Sequence, residues 1–137
     1  MIDLKRLQEQ LVIDEGLVLK PYRCSSNKLT IGVGRNIEEI GITKDEAMML
    51  LANDIARVCG ECKREFPWFE DLTPLRKEAI INLVFNMGMA TFKCFRKTIA
   101  FIEAKDYERA GIELLDSNYA KQVGERSKRV ANMLADG

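Results

Sequence analysis

The chain contains no histidine, and that absence bears first on its cysteines. Cys59 and Cys62 have CxxC spacing, but with no second such pair and no imidazole, nothing completes a tetrahedral zinc site. The pair also falls inside a helical pattern, so neither a metal nor a redox role is expected of it. With Cys24 and Cys94 the cysteines number four, too few and too scattered for a disulfide framework. No signal peptide is read at the N-terminus, which predicts synthesis in a reducing cytosol. Charge of one sign is lacking too. Lys plus Arg equals Asp plus Glu at 21 each, so no global field draws the chain to nucleic acid or to an anionic membrane. Nor is there a run of about 18 apolar residues to span a bilayer. Nucleic-acid partners, stable membrane insertion, cofactors and metals are all excluded from the expectation.

What is present has the profile of an ordinary globular protein, 47% hydrophobic and 31% charged over 137 residues. That length fits a single domain, residues 1–137, with one core. Leu4, Leu7, Leu11 and Val12 recur at helical spacing, predicting an amphipathic first helix that ends near Glu15 and Gly16. From Leu17 the pattern changes. Pro21, the turn composition Ser25-Ser26-Asn27 and the alternation Leu29-Thr30-Ile31-Gly32-Val33-Gly34 predict a hairpin or three-stranded sheet within a β subregion of about residues 17–41.

The remainder reads as helix. Thr43 to Glu46 is a capping box, opening a long helix that runs towards Glu65 and is stopped by Pro67. Trp68 and Phe69 are expected to plug the core. Thr73-Pro74 pairs a cap with proline at the first helical position, and the run Ala79 to Phe85 is apolar nearly all round, predicting a buried central helix ended by Gly88. Further helices are predicted from about Phe92 to Ala104, after Asp106 as cap, and from about Gly124 to Leu134. The fold class is α+β, mainly helical, with a small β unit, a helical bundle and a ligand cleft between them.

Splitting a glycosidic bond requires a carboxylic acid to protonate the leaving oxygen, and a second group on the far side of the sugar. Asp14-Glu15 at a helix end supplies the acid, although such a pair taken alone is usually solvated charge. The motif around it is more specific. Ile13-Asp14-Glu15-Gly16-Leu17, then Thr30-Ile31-Gly32-x-Gly34, Gly41 to Ala47, Ala79 to Gly88 and Arg126-x-Lys128-Arg129-Val130 follow in an order that resembles the phage-type lysozymes, the endolysins of tailed phages.

The resemblance implies a lysozyme-like fold and a muramidase that cleaves the β-1,4 bond between N-acetylmuramic acid and N-acetylglucosamine in peptidoglycan. It assigns the general acid to Glu15 and a water- and sugar-placing role to Thr30. Arg126 becomes the partner of Glu15, and Arg129 that of Asp14. On composition alone, the basic segment Lys121 to Arg129 reads instead as a solvated helix face. Substrate contacts carry over to Asn36, Phe85, Thr98 and Glu113. Asn36 and Glu113 depart from the family's residue types, and an aromatic on so apolar a helix as that of Phe85 is more often core than cleft.

Two departures concern the chemistry. Cys24 stands nine residues after Glu15, where the family carries its catalytic aspartate, and Arg35 replaces the family's histidine. A thiol ionises near pH 8.5 and aspartate near pH 4, so the exchange is not conservative. The cations Arg23 and Lys28 are expected to lower the Cys24 pKa, making it a nucleophile or a weaker positioning group. The alternative is a weak or inactive homologue that binds peptidoglycan. A wall hydrolase made in the host cytoplasm without a signal peptide also needs a holin to reach its substrate. The resemblance therefore implies a monomer whose partners are glycan strands and, for access, a holin.

Overall fold

A computed structural model describes all 137 residues, which divide into two compact units, Met1–Met49 and Leu50–Gly137. The first opens with α1 (Leu4–Glu15), capped by the Asp3 side chain, which accepts from the Arg6 amide, and closed at Gly16. A three-stranded antiparallel sheet follows in the order β1 (Val18–Arg23), β2 (Leu29–Gly32), β3 (Arg35–Asn36). Val18 pairs with Gly32 and Tyr22 with Thr30, so β1 bulges between these two pairs. Pro21, which has no amide hydrogen to give to a ladder, lies in that bulge.

Two short loops fix the sheet. Between β1 and β2, the Cys24 amide donates to Lys28 O (3.0 Å) and the Asn27 amide to Cys24 O (2.8 Å), with Asn27 left-handed at φ 59°. Asparagine tolerates that conformation better than most residues. Between β2 and β3, Gly32 and Gly34 both have positive φ, which brings Arg35 opposite Ile31 and Asn36 opposite Thr30. A one-turn helix not expected from the sequence, α2 (Ile37–Ile40), follows, with Asn36 Oδ1 accepting from the Glu39 amide at 3.1 Å.

The capping box forms as expected at the start of α3 (Lys44–Glu65). The Glu46 amide donates to Thr43 Oγ1 at 3.1 Å and the Thr43 amide to Glu46 Oε1 at 2.8 Å. Glu46 has a second partner, Arg35, whose Nη1 lies 2.6 Å from the same oxygen. The Arg35 hydrogen bond first, then the Thr43 amide, hold the Glu46 carboxyl down at about 2. An ordinary glutamate titrates near 4.3, so the favourable linkage is fully present above about pH 4 and is lost as the pH falls towards 2. Glu46→Gln should therefore lower the urea midpoint near pH 7, and the difference from the parent should close between about pH 4 and pH 2. A gap that stays constant over that range would show that the cap, and not the charge, carries the effect.

The second unit is built around α4 (Pro74–Met87), whose Ala79, Ile80, Leu83 and Val84 are buried. Thr73 caps it by accepting from the Arg76 amide, and Gly88 ends it. Phe69, Leu72, Ile102, Leu114, Val130 and Leu134 close on this helix. Phe69 is fully buried and Trp68 packs against the core partly exposed, its ring stacked on Phe66 at 4.6 Å. Arg76 joins the start of α4 to the end of the chain by donating to Leu134 O and Ala135 O at 2.8 and 2.9 Å, its guanidinium 3.8 Å from the Tyr107 ring centre. Cys62 is a core residue whose thiol burial pushes up to about 12, which leaves it inert as a nucleophile.

Two helix boundaries differ from expectation. The segment predicted as one helix from Phe92 to Ala104 is two, α5 (Met89–Lys93) and α6 (Arg96–Glu103), broken at Phe95, where ψ is 60°. Phe92, Thr98 and Ile102 are all buried. After α7 (Tyr107–Leu115), capped by Asp106 as expected, comes an unpredicted α8 (Asn118–Val123). Its Ser117 cap accepts from the Ala120 amide at 3.2 Å. Gly124, at φ 57°, separates α8 from α9 (Glu125–Asp136).

Candidate active site

Glu15, Cys24, Thr30 and Asn36 belong to the first unit, whereas Phe85, Thr98, Glu113, Arg126 and Arg129 belong to the second. Glu15 is the last residue of α1 and is exposed. Its carboxylate lies against the bare α-carbon of Gly34 in the β2–β3 turn. Asp14, one step back on the helix, is also exposed.

Cys24 follows β1 directly and is half-buried with a free thiol. The Lys28 amide foremost, then the Thr30 hydroxyl and the Ser26 amide, lower its pKa by favouring the thiolate. Thr30 is 3% exposed, and its single hydroxyl proton is directed to Lys28 O at 2.8 Å, so the Lys28 amide carries most of the effect. This corrects the expected cause. Arg23 Nη1 pairs with Glu38 at 2.9 Å, and Lys28 Nζ with Glu39 at 3.0 Å and Glu38 at 3.7 Å. Their charges are answered by carboxylates, and backbone dipoles act on the sulfur instead.

With its proton committed, Thr30 Oγ1 can only accept from a water or sugar hydroxyl. Asn36 uses Oδ1 as the α2 cap, which leaves its amide nitrogen for any ligand contact.

In the second unit, Phe85 is 44% exposed and lines a pocket of about 350 Å³ with Leu51, Ile55, Glu78, Asn82 and Arg126. It is a partly exposed pocket-lining aromatic and not a core residue. Arg126 is half-buried there, its Nε donating to Asn82 Oδ1 at 2.9 Å and its Nη2 reaching Asn82 O at 3.5 Å. The solvated-face expectation thus fails for Arg126, although it describes Lys128, which is exposed and paired with Glu125 at 3.1 Å. Arg129 is exposed. Thr98 and Glu113 line a second pocket of about 660 Å³ with Phe95, Ser117, Tyr119 and Gln122.

Sequence reasoning missed Asn82, which holds Arg126 across 44 residues, and Tyr119, whose buried hydroxyl has no partner. No local pattern signals either one. Burial raises the Tyr119 pKa, opposed by the charge of Arg126, so the phenol stays a neutral donor.

The family described as phage lysozyme matches residues 13–133. "Probable T4-type lysozyme 2" of Dictyostelium discoideum is 27% identical over 161 aligned positions, covering 96% of this chain and 94% of that protein. An "Endolysin" of Acyrthosiphon pisum secondary endosymbiont phage 1 is 33% identical over 117 positions, covering 82% of this chain and 77% of that one.

Proposed function

The chain belongs to the phage lysozyme family, and from that membership we propose that it is an endolysin, a muramidase that cleaves peptidoglycan with Glu15 as general acid. The observation that carries this reading is the placement of Glu15. It ends α1 with its carboxylate held against the β2–β3 turn, in the unit that also presents Cys24 and Thr30.

In the first step the Glu15 proton goes to the O4 of N-acetylglucosamine as the bond from that oxygen to C1 of N-acetylmuramic acid breaks. The Cys24 thiolate, favoured by the Lys28 amide, bonds to C1. Water held by Thr30 Oγ1 then attacks C1, Glu15 takes its proton, and the sulfur leaves as thiolate. If Cys24 acts on water instead, a single displacement replaces both steps, the thiolate taking the water's proton as the water oxygen bonds to C1. Arg126 and Arg129 serve as charge partners of Glu15 and Asp14, and Asn36, Phe85, Thr98 and Glu113 contact the glycan. These roles rest on the resemblance, supported for Phe85 by the pocket it lines.

No helix is long and apolar enough to cross a membrane. On the family resemblance, access to the wall from the host cytoplasm is assigned to a holin, with the endolysin acting as a monomer.

Digesting purified peptidoglycan with the chain, then reducing with borohydride, should convert muramic acid and not glucosamine to its alditol. Glucosaminitol would overturn the muramidase reading. Proton NMR of the first-formed anomer separates the two roles of Cys24: retention means covalent attack, and inversion means water placement. The second reading, a homologue that binds peptidoglycan without turning it over, is favoured by one observation, the thiol where the family has a carboxylate. It predicts binding with no new reducing ends.

A further inference from the structure

Four glycines of the first unit, Gly16, Gly32, Gly34 and Gly41, have positive φ. At Gly16, Gly32 and Gly41 a β-carbon would meet nothing within 4 Å, so backbone conformation accounts for the residue. Gly34 differs. A β-carbon there would stand 2.9 Å from Glu15 Oε2 and 3.3 Å from both Cβ and Cδ of the same side chain.

Both backbones at this contact are fixed. The Gly16 amide donates to Val12 O at 2.9 Å and closes α1, while the pairing of Ile31 with Arg35 holds the turn. The free end of the Glu15 side chain is the part that can yield. A methyl group at position 34 would thus push the carboxylate aside first, with the contact to Glu15 Cβ left tight at 3.3 Å.

We propose that Gly34 is a positioning residue for Glu15, its missing side chain forming the seat that fixes the acid relative to the sheet. The inference rests on Glu15 as the general acid. It adds a cause for the second glycine of the Gly32-x-Gly34 turn beyond backbone freedom: any β-carbon, even on a residue that tolerates positive φ, displaces the proton donor.

Gly41→Ala is the matched control, since Gly41 has φ 67° against 65° for Gly34 and no neighbour to displace. Gly34→Ala and Gly34→Asn separate strain from collision, because asparagine tolerates the left-handed backbone but still carries a β-carbon. All three are compared on soluble glycan fragments across pH, alongside the carbon-13 shift of the Glu15 carboxyl, assigned by its loss in Glu15→Gln.

Gly41→Ala should lose several degrees of Tm with kcat nearly unchanged. Both Gly34 variants should lose about tenfold or more in kcat with little change in KM, the magnitude expected of a misplaced reacting group. The alkaline limb of their pH profile and the Glu15 carboxyl signal should move as well. Gly34 variants that match Gly41→Ala in kcat, pH profile and carboxyl shift would overturn the proposal. Full activity in Glu15→Gln would overturn the acid assignment instead, and that result is read on a different variant.

Discussion

Glu15→Gln should reduce clearing of outer-membrane-permeabilised bacteria by about 10²- to 10⁴-fold, the range that general acid catalysis contributes. The amide is nearly isosteric with the carboxyl, so it fills the same place against Gly34 and leaves α1 and the sheet undisturbed. What it cannot do is release a proton to the leaving oxygen. The loss should therefore appear in kcat, with KM and Tm close to the parent values. Removing the charge of an exposed helix-end carboxylate costs little stability, so a large fall in Tm would point to a structural role for Glu15. Activity within tenfold of the parent would sink the assignment. Cys24→Asp and Cys24→Ala complete the comparison. If the thiolate attacks C1, alanine should remove the covalent route, while aspartate restores the family's carboxylate.

Where structure depends on neighbours within a few residues, the sequence was enough. Thr43 with Glu46, Thr73 with Pro74, and Asp106 each mark a helix start that the structure confirms, because a cap is a bond between residues three apart. The turn glycines and Asn27 placed the sheet for the same reason. The break at Phe95 was not legible, since no glycine or proline in that stretch marks it. The short α2 and α8 had visible caps, Asn36 and Ser117, but one or two turns carry too few apolar positions to show a period.

The site divides along the same line. Glu15 stood out because its motif is contiguous, and Cys24 because it breaks a fixed spacing. The cause that lowers the Cys24 pKa was misread, since charged side chains are visible in a sequence and the aim of the Lys28 amide is not. Asn82 beneath Arg126, and the seat that Gly34 makes for Glu15, exist only once the chain is folded. Residues that perform chemistry are thus easier to find than those that hold them in place.

Phe92→Ala should be among the most destabilising single substitutions in the second unit. Phe92 is fully buried, edge-on to Phe66 with ring centres 5.6 Å apart and stacked with Phe95 at 6.3 Å. Truncation removes the transfer energy of the ring and leaves a cavity that close-packed neighbours fill only in part, a loss of about 3–5 kcal/mol. Against a total stability of about 5–15 kcal/mol, this is a large fraction of what holds the unit together. Phe85→Ala is the internal comparison. It removes the same atoms from a ring that is 44% exposed, so its cost in stability should be well below that of Phe92→Ala, and its effect should fall on glycan binding through the pocket shared with Arg126. Urea unfolding followed by tryptophan fluorescence reports on this core directly, because Trp68 stacks on Phe66. A midpoint for Phe92→Ala no lower than that of Phe85→Ala would show that the aromatic cluster from Phe66 to Phe95 is not what stabilises the second unit.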